Sequence, residues 1–271
     1  MNETQIKEQN NIINIIPDEV SDVIYRNELY EYKMLWPSSL SERENKLYAA
    51  ILACIRDKGG SLVKIRFRDL KKIMDVDPKI SNIKMSNMIL EMYEKLKRLE
   101  CSYNTEENKK IEMLLFPTLI RDEQNGVVMV QVNPQFTYLF NNIIDTCRTS
   151  GIGYTQFSLI DYYSLESCYS QNLFRILSRY HKLKRYYELP VKKIPELLGC
   201  PIDYENKFIN SRVVLPAVYR IRKIRGYKKL SVYVRKENRK IISYGFCWSK
   251  PGKEIIEGNK YRPLDIVDMD N

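Results

Sequence analysis

The hydrophobic period of this 271-residue chain switches from helical to alternating twice, each time after three helical stretches, and that order leaves few folds open. "SEREN" puts Ser41 at an N-cap with Glu44 three residues on, a capping box, and Leu47, Ala50, Ile51, Cys54 and Ile55 follow as one buried stripe up to Gly59-Gly60. "RFRDLKKIM" (66–74) predicts a short second helix closed by "DVDP". A third helix is expected over 79–103, with Ile83, Met88, Met92, Leu96 and Leu99 among its apolar positions. Two β-rich runs then flank "DEQNG", whose Asn125-Gly126 pair suits the positive φ angles of a tight hairpin. A short helix follows Pro134, and "GIGYTQF" (151–157) reads as a turn between domains.

The second half repeats that order without residue-by-residue identity. Helices are expected over 164–184, over 191–199 with Gly199 as the stop, and over 204–224. Strands at 229–236 and 240–248 join through Glu237-Asn238-Arg239, and Ile242, Tyr244, Phe246 and Trp248 share one face of the second. A helix-turn-helix followed by a strand pair is a winged helix. The expected fold is therefore α+β, two tandem winged-helix domains. The expected limits are a loose arm at 1–20, a first domain at 21–150, a second domain at 151–250, and a polar tail at 251–271.

Charge separates the halves. Residues 1–150 carry 21 Lys+Arg against 22 Asp+Glu, whereas 175–240 alone carry 19 against 5. A field of one sign over one domain points to a polyanionic partner.

Other classes find no support. The six cysteines are scattered without a CxxC or Cys/His cluster, so no metal is expected and the thiols are expected to be free, in a reducing cytoplasm. No apolar run reaches membrane-span length and no basic, then apolar, leader opens the chain, so a cytoplasmic protein without membrane partners is expected. His181 is the single histidine, so the paired metal-binding histidines of a tyrosine-dependent nicking enzyme cannot be assembled. There is no phosphate-binding loop, nucleophile elbow or H-E-x-x-H, and Asp75 and Asp77 lie in a turn beside Pro78. Neither an enzyme nor a cofactor is expected.

The second half also carries a family resemblance. Tyr169-Ser170 with Leu173 and Phe174, then Glu196-Leu197-Leu198-Gly199, then Tyr204 and the run Arg212-Val213-Val214-Leu215-Pro216-Ala217 resemble the RepB-type initiator family of theta-replicating plasmids. The first half resembles it more loosely, through "SLSERENKLYAAILACI" and the hairpin after it. The resemblance implies a plasmid replication initiator that binds tandem repeats (iterons) in double-stranded origin DNA, promotes origin opening and recruits a host helicase or host initiator proteins. It also implies autorepression by a homodimer, with the monomer acting on the repeats, and it gives the first domain (21–150) dimerisation and DNA contact and the second (151–250) the main DNA binding. A double winged-helix repressor without initiator activity is the alternative. Family members are commonly basic just before the arginine of that run, whereas Asn210-Ser211 stand before Arg212 here, which points to amide and hydroxyl groups at the bases.

In a helix-turn-helix the second helix of the pair enters the major groove with its N-terminal turns against base edges. Lys207, Asn210, Ser211 and Arg212 occupy those turns in the second domain, and Lys79, Asn82 and Lys84 (with Ser81 and Asn87) in the first. Lys or Arg suits guanine O6/N7 and Asn suits adenine N6/N7. Phosphate contacts are expected from Lys192 and Lys193 at a helix start, from Arg220 and Arg222, and from Arg235, Lys236, Arg239 and Lys240 on the wing. Phe208, Val214, Val218 and Ile221 are expected in the core, and Pro216 interrupts the helix.

Overall fold

The computed structural model describes residues 12–27, 36–97, 101–104, 110–151, 153–181, 184, 186–248 and 261–264. The chain divides into two compact units, one of residues 1–37 and 43–163, the other of 38–42 and 164–271. Each is a helix-turn-helix with a strand pair as its wing, so the architecture is the α+β winged-helix pair expected.

In the first unit, β1 (Ile12–Asn14) and β2 (Asp22–Arg26) precede α1 (Glu42–Ile55), β3 (Leu62–Arg66), α2 (Phe67–Ile73) and α3 (Asn82–Leu96). Strands β4 (Cys101–Asn104) and β5 (Lys110–Met113) pair with each other, and the wing is β6 (Thr118–Asp122) with β7 (Val127–Gln131). A 3-10 turn at Pro134–Leu139, α4 (Ile143–Ser150), β8 (Tyr154–Ser158) and α5 (Leu159–Tyr163) complete it. The main sheet runs β1-β3-β7-β6, and β2 pairs antiparallel with β8.

Helix α1 is apolar beyond the predicted stripe: every residue from Leu47 to Ile55 is buried. A helix buried on all faces is the centre of its unit. Its one buried amide is satisfied, because Trp36 Nε1 donates to Asn45 Oδ1 at 2.6 Å. Trp36 also meets the rings of Tyr48 and Tyr162, while the Phe157 ring lies tilted against that of Tyr162, 5.1 Å between centroids. These tyrosines are core residues.

The second unit contains α6 (Cys168–His181), β9 (Tyr186–Pro190), a 3-10 turn at Val191–Lys193 and α7 (Ile194–Leu198). Then come α8 (Asn206–Phe208), a π turn at Ile209–Val214 and α9 (Leu215–Arg222), which run on as one helix. The wing is β10 (Ser231–Glu237) with β11 (Lys240–Cys247), and β12 (Tyr261–Leu264) makes the sheet order β12-β10-β11-β9, antiparallel throughout. Gly199 stops α7 at φ 81, where a Cβ would stand 2.0 Å from the Ser38 carbonyl oxygen, so no other residue fits.

Five expectations change. The arm does not extend to residue 20: Ile12–Asn14 pair in parallel with Leu62–Lys64, and Pro17–Glu19 form a 3-10 turn. Asn-rich composition hid the strand, while residues 1–11 lie outside the described residues. "GIGYTQF" is largely strand β8 rather than an interdomain turn, so 154–163 belong to the first unit and the second begins at 164, with 38–42 added. Within the predicted tail, 261–264 pair with β10; the rest of 249–271 lies outside the described residues. The second helix is preceded by strand β3, which includes Arg66. The third ends at Leu96; Leu99 is not among the described residues, and Cys101–Asn104 are strand.

Candidate nucleic-acid interface

The helix of 206–222 is where the candidate base contacts gather. Leu215 N–H donates to the carbonyl of Asn210, five residues back, so the helix widens by one residue ahead of Pro216. That accommodates a proline with no N–H to give. Val213 and Val214 then both face the core, as do Ala217, Val218 and Ile221, each at most 1% exposed. Phe208 departs from expectation: it is half-buried, in ring contact with Tyr204, and the Arg212 guanidinium sits 4.4 Å above its ring.

Lys207, Ser211 and Arg212 are exposed together on the first turns, and Ser211 Oγ donates back to the Lys207 carbonyl at 2.9 Å. Asn210 is half-buried, with its Oδ1 buried and lacking a hydrogen-bond partner. The structure therefore presents three of these four candidates to solvent and turns the Asn210 amide oxygen inward.

At the wing tip Asn238 and Arg239 have φ 47 and 66, the pair of positive angles of a type I′ hairpin. Lys236, Arg239 and Lys240 are exposed, and the register shifts between Arg235 and Lys236. Arg235 is committed elsewhere: it donates to Glu188 Oε1 at 2.9 Å and to Ser243 Oγ at 3.3 Å. Lys192 is exposed, whereas Lys193 pairs with Glu196 at 3.0 Å. Arg222 is exposed, and half-buried Arg220 reaches its own Pro216 carbonyl at 3.5 Å.

In the first unit Ser81 caps α3, accepting from Lys84 N–H at 3.2 Å. Asn82 is a tether: its Nδ2 donates to the Glu123 carbonyl at 3.1 Å, and a Cβ on Gly126 would meet that amide at 2.8 Å. Beneath it, Arg121 donates to Ser86 Oγ at 2.8 Å and Ser86 Oγ donates to Glu123 Oε1 at 2.8 Å. These bonds clamp the wing to the helix. Lys79, Lys84 and Asn87 remain exposed, and so does Ile83, at 63%. Ile83, one of the apolar positions of the expected third helix, thus lies outside the core.

Sequence reading missed the tethers. Asn206 makes the same bond in the second unit, donating Nδ2 to the Ile241 carbonyl of β11 at 2.9 Å. Both asparagines open their helices, and polarity at a helix start is equally consistent with capping, so nothing local singles them out.

His181 lies at the far end of α6, packed on Tyr227 at 4.6 Å and Trp248 at 5.6 Å between ring centroids. No cluster of His, Cys, Asp or Glu fit to hold a metal occurs among the described residues, nor any helix long and apolar enough to cross a membrane. Burial pushes the Cys54 thiol up to about 12 and Cys247 to about 11.

Comparison with known proteins places this geometry. The family model "Initiator Replication protein, WH1" matches residues 22–178, more than half the chain. A curated relative, the probable replication protein rep of Bifidobacterium longum (strain NCC 2705), is 22% identical over 222 residues, covering 81% of this chain and 70% of its own. The solved structure described as Pi initiator protein in complex with iteron DNA matches with a TM-score of 0.63 at 18% identity, over 84% of this chain and 96% of that one. That likeness is one of fold.

Proposed function

This chain belongs to the initiator replication protein family and is a replication initiator, and on that premise we propose that it acts on double-stranded plasmid origin DNA, binding tandem directional repeats. The observation that carries the reading is the joint exposure of Lys207, Ser211 and Arg212 on the helix and of Lys236, Arg239 and Lys240 on the wing of the same unit. A helix with polar first turns beside a basic hairpin matches the two needs of duplex recognition: base contacts that specify and phosphate contacts that position.

Arg212 is the foremost base reader of this set. Its fork of donors matches guanine O6 and N7, and the Phe208 ring beneath it restricts its orientation. Lys207 and Ser211 flank it. Lys192, Arg222, Lys236, Arg239 and Lys240 supply phosphate contacts, while Arg220, Arg235 and Lys193 first give up the internal partners described above. In the first unit Lys79, Lys84 and Asn87 face a second stretch of groove, and Asn82 holds the wing. Origin opening follows from binding energy: bending a site by 40–90° costs on the order of 1–6 kcal/mol, within the reach of several phosphate contacts. Host replication proteins then load on the opened strand, and a dimeric form represses the gene.

The test is fluorescence anisotropy of the full chain on repeats flanking its own gene, against scrambled duplex, across a salt series. A preference of about a thousandfold or more that persists at physiological salt supports the reading. Equal binding to both duplexes, vanishing as salt rises, removes it and leaves a generic polyanion surface. Absence of permanganate-reactive thymines on a supercoiled repeat array, with host factors present, removes the opening step alone.

A further inference from the structure

The two tethers set a register between the units that the sequences do not show. Asn82 and Asn206 each open the reading helix and each donate Nδ2 to a backbone carbonyl of their own wing. Counting on from them, Met85 falls on Ile209 and Ile89 on Val213, all buried, while Asn87 falls on Ser211, both exposed. Beyond that point the buried positions slip by one, Met92 answering to Ala217 and Leu96 to Ile221, which is the extra residue of the π turn. The match therefore holds over the first two turns, the part of each helix that faces bases.

In this register Ile83 is the counterpart of Lys207. Both are exposed, Ile83 at 63%, as are Ile16 and Ile160 elsewhere in the unit, but of these Ile83 alone lies on α3. It stands between exposed Lys79 and Lys84, and Asn87 lies one turn further on the same face. A branched apolar side chain flanked by cations suits a surface that is anionic at its edges and carries an apolar spot within. The major groove of DNA is such a surface, and the C5-methyl of thymine is its apolar feature.

We propose that Ile83 is a specificity-determining residue, packing on the C5-methyl group of a thymine at the position where the second unit presents Lys207. The inference rests on α3 facing the groove, which is part of the function proposed above. Asn87, four residues on, is placed to bond N6 and N7 of a neighbouring adenine. The first unit then selects A·T pairs and the second selects pairs offering acceptors to Lys207 and Arg212, so one chain distinguishes the two ends of its repeat.

The experiment uses the full chain and its Ile83→Ala and Ile83→Val variants on the repeat duplex, with each thymine replaced in turn by deoxyuridine, which lacks only the methyl. At one thymine the replacement is expected to weaken wild-type binding by about fourfold, the worth of one buried methyl-sized group. Ile83→Ala is expected to bind the unmodified duplex as weakly as wild type binds the uracil duplex and to ignore the replacement there. Ile83→Val should retain the discrimination. Wild-type indifference at every thymine overturns the proposal, as does an Ala variant that discriminates wherever wild type does. Failure of wild type to prefer the unmodified repeat over scrambled DNA is a separate result, seen before any uracil is introduced, and removes the DNA reading itself along with the inference.

Discussion

Arg239 holds φ 66 at a hairpin position where glycine carries no strain, a cost of roughly 1–2 kcal/mol for a residue with a Cβ. A strained residue at an exposed wing tip suits the proposed phosphate contact better than a role in the fold. Arg239→Gly should therefore raise the thermal unfolding midpoint while weakening all duplexes alike and flattening the slope of log affinity against log salt by about one. Arg212→Ala should differ in kind, lowering the ratio of specific to scrambled binding by the about 1–3 kcal/mol of one base contact. Competition titrations at fixed salt separate the two. The buried thiols Cys54 and Cys247, raised to about 12 and 11 by desolvation, should resist iodoacetamide at pH 8 and react once the chain is unfolded in urea.

At the scale of elements, the asparagine tethers decide how each wing sits on its helix. Asn206→Ala leaves the Ile241 carbonyl without its donor at a half-buried site, and is expected to cost about 1 kcal/mol of stability. Its larger effect should be on recognition: the specific-to-scrambled ratio falls while scrambled affinity stays, since the wing keeps its cations and loses its aim. Unchanged ratios in anisotropy would show that other contacts hold the wing. Sequence patterning found the third helix of each unit and the hairpins themselves, because helical and alternating periods are local properties of consecutive residues. Strand β1 and strand β8 escaped it. Each acquires its place from a partner distant in sequence, Leu62–Lys64 for one and Asp22–Arg26 for the other, and three or five residues carry too little pattern to announce a partner.

For the whole molecule, the salt response should be unequal between units. On the proposed DNA interface, the excess of cations in 175–240 gives the second unit most of the phosphate contacts, so neutralising Lys236 and Lys240 together is expected to flatten the salt slope by about two. Removing Lys79 and Lys84 should flatten it less if Ile83 and Asn87 carry the first unit's contribution through bases. The double winged-helix architecture and the basic second half were determined by the sequence alone, since they follow from period, from the short-range chemistry of turns and from composition. Tertiary structure alone decided which polar residue at a helix start faces solvent and which holds the wing. Asn82 and Asn87 are the same residue type on one helix, yet Asn82 meets the Glu123 carbonyl and Asn87 is exposed. The difference lies in the position of a hairpin some forty residues away, and no local pattern encodes that distance.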